Sequence, residues 1–211
     1  NKEGKQMYYK IKEDGIFKID LGTFWDSGEC VGVFKMTEWD NEKILWEKCG
    51  IWHTVDEIHF CKMESHRDFL YGTFQMPAKE YGKKDELFAI YILKDRVIIL
   101  SDDDSIDKNI IRISGHAIAK DYSLERFIYD FFMSFIEDEL LFLQKIEHKI
   151  TGIEEQVMKE QSDKFNIGLL KLKKIIARFY HYYTQLAEAG DELAGNEEEF
   201  FTEETVELFK M

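Results

Sequence analysis

The sequence predicts an α+β fold: a mixed β-sheet domain with short helices, then a long antiparallel helical hairpin and the start of a third helix. Three observations predict it. Short β-branched and aromatic runs, punctuated by glycine and polar turns, fill the first 120 residues. Two long amphipathic patterns joined by a short polar stretch fill most of the remainder. Pro77 is the only proline, so no ring interrupts a helix beyond it. The expected division is a strand-rich α/β domain over 1–120 and a helical part over 121–211.

The elements follow in order. "MYYKIKEDGIFKID" reads as a hairpin turning at Glu13-Asp14-Gly15. "VGVFKM" (31–36) is a strand. "TEWDNEKILWEKCG" reads as a short helix with Thr37 as N-cap and Gly50 at its end. "EIHFCKM" and "DFLYGTFQM" are two strands, the second stopped by Pro77, and "AKEYGKKDE" is a polar loop. "LFAIYIL" and "RVIIL" flank Lys94-Asp95 as a second hairpin suited to a buried sheet. The acidic "SDDDSIDKN" (101–109) breaks the strand pattern.

One helical pattern then runs from Ser123 to Gln161, with a seam at Leu140, Leu143, Ile146, Ile150, Ile153 and Val157. "SDKFN" (162–166) reads as a turn with Ser162 or Asp163 as cap. A second pattern runs from Phe165 to Leu193, with a seam at Phe165, Leu169, Leu172, Ile176, Phe179, Tyr183, Leu186 and Leu193. Gly190, on the same line, marks either a close crossing or the helix end. Two seams joined by a short turn predict helices packed as an antiparallel, coiled-coil-like pair. Ala187–Met211 carries nine acids and one lysine. In it Thr202 caps a fresh helix whose Phe201, Val206 and Phe209 need burial. That helix stops after few residues, which reads as truncation; a start at Asn1 without Met reads as a trimmed chain.

Length and a 45% hydrophobic content fit a globular chain with a real core. Lys plus Arg total 28 and Asp plus Glu 42, a net charge of −14. Such a chain repels phosphate backbones, which argues against nucleic acid, and it attracts cations. Cys30, Cys49 and Cys61 have long uneven gaps, no CxxC pair and no glycosylation acceptor beside them, so they read as reduced thiols. The most apolar stretch, 127–143, holds Asp130, Glu137, Asp138 and Glu139 and belongs to a core, not a bilayer.

Asp102, Asp103, Asp104 and Asp107 form the densest carboxylate cluster outside the tail. Hard cations such as Mg2+ and Ca2+ take oxygen ligands. The EF-hand spacing fails, and a solvated loop leading into a helix near Ile106 is the plainer reading. His59, Cys61 and His66 would seed a zinc site only with unusual spacing, His53 being a further ligand; ordinary strand residues are the plainer reading. Glu154, Glu155 and Glu160 read as a solvated rim, and Tyr180, His181 and Tyr182 as core and rim or a partner contact. The GxSxG, HExxH, GxxxxGK[ST] and GxGxxG signatures are missing, so no catalytic residue and no enzymatic activity are expected.

"FIYDFFMSFIEDELLFLQKIEHKITGIEEQVMKE" (127–160) resembles the long cytoplasmic helix of the CorA family of divalent-cation transporters. Glu137-Asp138, Lys145-Ile146-Glu147, Ile150 and Ile153-Glu154-Glu155 take the family's places. "LLKLKKIIARFYHYYTQLAEAGDEL" (169–193) resembles the returning helix, with Leu172-Lys173-Lys174 matching; the usual proline is replaced near His181–Tyr183 and the basic pair reduced to Arg178. "LFAIYILKDRVIILSDD" (87–103) fits the family's last hairpin. The family's LxxEDI stretch, Gly-Met-Asn signature and two membrane helices are not in this sequence.

The resemblance implies the cytoplasmic regulatory domain of a CorA-like Mg2+ or divalent-cation transporter, on the cytoplasmic side of the membrane. It implies a pentameric homo-oligomer, a stalk helix opening at 203–211, and attachment to the membrane only through missing C-terminal helices. It implies divalent cations as ligands and transfers no sensor residues; the net charge of −14 and the carboxylate cluster make Asp102, Asp103 and Asp104 the candidate ligands for a regulatory Mg2+. The alternative is a soluble coiled-coil interaction module with a sheet domain; a metal-dependent enzyme on His59, Cys61 and His66 is a third reading.

Overall fold

The computed structural model describes residues 6–39, 41–55, 57–116, 121–137, 139–158 and 162–210. β1 (Met7–Lys12) and β2 (Gly15–Ile19) form the first hairpin, as predicted. A helix not expected from the sequence follows: α1 (Leu21–Asp26), capped by Asp20, whose carboxylate accepts from Thr23 N–H at 3.0 Å. β3 (Cys30–Phe34) leads to a 3-10 turn over Met36–Glu38 and to α2 (Asn41–Cys49). Thr37 lies in that turn and not at the α2 cap. Gly50 ends α2 at φ +71°, a value that glycine alone adopts without strain.

β4 (Lys62–His66) and β5 (Phe69–Met76) turn over Arg67-Asp68; β6 (Glu86–Ile92) and β7 (Arg96–Leu100) turn over the Lys94-Asp95 region. The predicted strand over 57–63 therefore begins late. Pairing with β5 sets it: Met63 faces Gly72 and His66 faces Phe69, so polar residues read as loop become strand. α3 (Ser105–His116), α4 (Leu124–Met133), α5 (Glu139–Met158), α6 (Ser162–Gly195) and α7 (Glu203–Phe209) complete the order.

Among the described residues the strands form one sheet in the order β2-β1-β3-β7-β6-β5-β4, with β3–β7 the parallel pair and the other neighbours antiparallel. Both faces are covered. Tyr9, Val31, Val33, Phe74, Phe88, Ile90, Val97 and Ile99 pack beneath α3 to α6. Tyr8, Cys30, Phe34, Tyr71, Tyr91 and Ile98 pack against Phe24 of α1 and Leu45 of α2. The alternation of β3 explains this, since successive residues point to opposite faces. A Cβ on Gly32 would sit 2.9 Å from the Phe24 ring, so the glycine is what lets α1 close on the sheet.

The single rod expected over 123–161 is two helices. The helical pattern starts where predicted, and Ser123 caps α4, accepting from Arg126 N–H at 3.1 Å. The chain then breaks over 134–137, while residues 138 and 159–161 lie outside the described ones. Phe135 N–H bonds to Phe132 O at 3.2 Å in a tightened turn, and its ring stacks 5.3 Å from Phe88 of the sheet. Arg112 of α3 donates to the Ser134 carbonyl at 2.6 Å, satisfying a group the broken helix frees.

The hairpin itself is antiparallel: Phe142 meets Phe179 at 4.4 Å, Glu139 meets Tyr183, and Ile153 lies beside Gly168. Its seams are shifted from the predicted ones. Phe142 and Ile146 are buried, whereas Leu140 is 73% and Leu143 45% exposed. On α6 Leu172, Ile175, Phe179, Tyr182, Ala189 and Leu193 are buried, so Ile175 replaces the exposed Ile176, while the predicted Tyr183 and Leu186 are partly buried against the same core beside Tyr182. The break at 134–137 resets the phase of α5, and α6 must face both α5 and β4. Helix α6 opens at Ser162 and runs through Gly190 to Gly195, so 162–166 is helix rather than turn.

Candidate functional site

Helix α7 is attached to the rest of the described structure by short-range chemistry. Asn196, at φ +46°, brackets Phe201: its Nδ2 donates to Phe201 O at 2.8 Å and its Oδ1 accepts from Phe201 N–H at 2.9 Å. Thr202 then caps α7 as predicted, accepting from Thr205 N–H. Glu125 in the first turn of α4 accepts from both Thr202 N–H at 2.9 Å and Thr202 Oγ1–H at 2.8 Å. Phe201 is buried and Phe209 packs on Tyr129 at 5.9 Å and on Phe201 at 5.3 Å. Glu204 and Glu207 are exposed, as expected. The start of α7 is thus fixed to α4 and α6, which share the core with the sheet.

A second set of contacts holds α6 to the sheet domain. Asp85 accepts from Ala78 N–H at 3.0 Å, from Gln75 Nε2–H at 2.8 Å and from the Arg178 guanidinium. Burial pushes its carboxyl up, but those hydrogen bonds and the Arg178 charge together outweigh burial and hold it below the usual carboxylate value. Glu139, at the start of α5, is buried; it accepts from Tyr183 Oη–H and pairs with Lys79 at 3.1 Å. Burial first, then the Glu139 hydrogen bond and charge, push the Tyr183 phenol up. Cys61 N–H donates to Gln185 Oε1 at 3.0 Å.

The acidic loop lies at the C-terminal end of β7. Asp102 Oδ1 accepts from Thr37 Oγ1–H at 3.1 Å and Thr37 N–H at 3.3 Å, and Asp103 Oδ2 accepts from Leu87 N–H at 3.1 Å. The Asp104 carbonyl accepts from Lys108 N–H at 3.3 Å in the first turn of α3. Oxygen donors are the right class for Mg2+, and two of these carboxylates also hold the loop to its neighbours. Asp107 sits half-buried in α3; burial, then the Asp104 charge, push its carboxyl up.

His59, Cys61 and His66, for which ordinary strand residues are the plainer reading, are separated by the fold. His59 is exposed and pairs with Glu57 at 3.2 Å. Cys61 is buried under α6, where burial pushes its thiol up to about 11. His66 is on the opposite sheet face. Among the described residues, the one group of three metal-ligating side chains with ligand atoms within 4.8 Å of one another is His53, Glu64 and His66. Glu154 and Glu155 are exposed, while Glu160 lies outside the described residues. Tyr180 and His181 are exposed and Tyr182 is buried, so that aromatic run divides between rim and core.

A mixed sheet covered on both faces, followed by an antiparallel helical hairpin and a docked further helix, defines the class: an α+β domain. The family profile described as CorA-like Mg2+ transporter protein matches residues 48–210, and the chain belongs to that family. The fold resembles the soluble domain of CorA from Methanocaldococcus jannaschii, with TM-score 0.73 and 16% identity over 98% of this chain and 85% of that one. It also resembles the complete CorA magnesium transporter of that organism, with TM-score 0.77 and 16% identity over 97% of this chain and 67% of that one. The ZntB cytoplasmic domain from Vibrio parahaemolyticus RIMD 2210633 aligns with TM-score 0.71 and 9% identity over 97% of this chain and 87% of that one. No match is found among curated proteins. No described helix is long and apolar enough to cross a membrane.

Proposed function

We propose that this chain is the cytoplasmic regulatory part of a Mg2+ or related divalent-cation transporter, responding to internal metal and biasing a membrane pore. Family membership supports the transporter class. The observation that carries the regulatory reading is the attachment of α7: Glu125 and Thr202 tie its start to α4, so a shift of the helical layer moves the chain's last helix. The strand-rich part, 1–120, and the helical part, 121–211, act as the head and the lever in this reading. It is a non-catalytic role.

The proposed mechanism is electrostatic. Copies carrying −14 each repel when assembled in a ring, a pentamer in this reading. Mg2+ binds through one or two carboxylates and keeps several waters, so it screens that repulsion without a closed protein cage. High internal metal then favours the assembled, closed state by its differential affinity for it. Asp102, Asp103 and Asp104 are the proposed regulatory ligands, through water where an oxygen already accepts from Thr37 or Leu87.

The test is calorimetric titration of the chain with MgCl2, with light scattering to follow assembly, for wild type and for Asp102, Asp103 and Asp104 each changed to Asn. Weaker binding in the variants supports the assignment; unchanged affinity and unchanged assembly overturn it. A second reading, a soluble module that docks partner helices, is favoured by the exposed Leu140, Leu141 and Leu143 on α5. In the transporter reading that surface meets a neighbouring copy. The gene discriminates the two: two apolar runs of about 20 residues following Met211 are required of the transporter.

A further inference from the structure

On the sheet face opposite the helical layer, α1, the end of β3 and α2 border a groove of about 230 Å3. Trp25 of α1, Phe34 at the end of β3 and Trp39 after the 3-10 turn make its walls, with Leu21 and Ile44 beside them. The rings fix one another. Trp25 and Phe34 lie 6.0 Å apart with planes at 41°, and Phe34 meets Trp39 edge-on at 5.0 Å. The walls are therefore flat aromatic surfaces held by the sheet and by α1.

Two polar features of this groove point to an acidic ligand. The Trp39 indole nitrogen, a donor only, is buried and makes no hydrogen bond. A buried donor left in that state costs free energy that a ligand oxygen recovers. The second feature is charge. Lys35, Glu47 and Lys48 are the charged residues lining the groove, two cations to one acid, in a chain with 28 Lys plus Arg to 42 Asp plus Glu. Lys35 Nζ is engaged with the Asp102 carbonyl at 3.3 Å. Lys48 Nζ stands 5.7 Å over the Trp25 ring and makes no ion pair with a described acid. A cation over an aromatic wall, together with an unmet indole N–H, is complementary to a negative charge carried on a flat ring.

We propose that this groove binds a small aromatic carboxylate, its ring against Trp25, Phe34 and Trp39 and its charge toward Lys48 and the Trp39 indole N–H. The volume sets the size. It falls below the ~300–1,000 Å3 of sites for drug-sized ligands, so it suits one ring bearing one acid group and not a nucleotide. A cationic ring would face Lys35 and Lys48, and a neutral one would leave Lys48 unmatched. The Trp39 nitrogen is closed to solvent as it stands, so a turn of the indole about its soft second side-chain torsion completes the bond. The bound ring braces α1 and α2 against the end of β3. The site uses none of the carboxylates proposed for Mg2+ and goes beyond that reading.

The test titrates the full chain with sodium benzoate, read by tryptophan emission and by ligand-observed NMR, beside benzamide and benzylamine as neutral and cationic rings of the same size. Saturable benzoate binding, about tenfold or more tighter than either analogue, is expected. Lys48→Glu is expected to weaken it about tenfold or more. Trp39→Phe, which keeps a ring and removes the N–H, is expected to weaken it about threefold or more. Lys145→Glu, an equal charge change on α5, is expected to leave it unchanged. Absence of saturable benzoate binding to the wild-type chain overturns the proposal whether or not the variants fold. So does benzamide binding as tight as benzoate, full affinity in Trp39→Phe, or a loss that is equal in Lys48→Glu and Lys145→Glu.

Discussion

Replacing Phe179 by alanine removes the ring that joins α5 and α6. Phe179 is 4% exposed, lies 4.4 Å from the Phe142 centroid and flanks Tyr183 at 5.8 Å. Deleting a core phenylalanine costs about 3–5 kcal/mol, through lost transfer free energy and the cavity left behind. Phe179 also lines an open cleft with Phe135 and Tyr182, so it lacks packing partners on one side and the cost falls near the low end, about 3 kcal/mol. For a chain of this size each kcal/mol lowers Tm by about 2–4 °C, which predicts a fall of about 6–12 °C in thermal unfolding followed by circular dichroism. Phe142→Ala and the double variant complete a cycle with a coupling of about 0.5–1.5 kcal/mol, as expected of two rings in contact. A Tm drop below about 2 °C, or additivity within about 0.3 kcal/mol, would refute the packing of the hairpin at this pair.

Gly32→Val drives a side chain into the Phe24 ring and is expected to cost about 1–3 kcal/mol in urea unfolding, whereas Gly190→Ala, with open space around it, is expected to stabilise α6 slightly. Glu125→Ala removes the acceptor for Thr202 N–H and Oγ1–H; amide exchange of α7 is expected to speed about tenfold while β6 and β7 stay protected. Asp85 has a lowered native pKa, so its stabilisation is fully present above the unfolded value of about 3.9 and is lost as pH falls through the native one. Asp85→Asn should therefore narrow the Tm gap to wild type as pH drops from 5 to about 3; a constant gap contradicts the ion pair with Arg178. With its thiol pushed up to about 11, Cys61 is expected to resist iodoacetamide at about pH 8 in the folded protein and react on unfolding, read by mass spectrometry.

Where a local rule carries the conformation, the sequence was readable. The two hairpins, the Thr202 cap, the stop at Gly50 and the antiparallel pairing of the long helices follow from turn chemistry and periodicity within short windows, and the family was legible as a resemblance of 87–103, 127–160 and 169–193. Asp20 and Thr23 carried a cap signal for α1 that Gly22 obscured. The sequence grouped His53, His59, Cys61 and His66 but did not say which of them meet. His53 and His66 stand 13 positions apart, and only the β4–β5 pairing with the cover of Tyr71 and Tyr91 brings them together.

The amino-acid order alone thus determined most of the strands, the helical character of the second half, their sequence along the chain, and the surplus of negative charge. Tertiary structure decided where the expected rod breaks, which flank of each helix is buried, and which imidazoles meet. The reason is physical. Periodicity tells a helix that it has an apolar side but not what will cover it. No residue at 134–137 is a helix breaker; Phe88 and Arg112, from elsewhere in the chain, make the break favourable by receiving Phe135 and the Ser134 carbonyl.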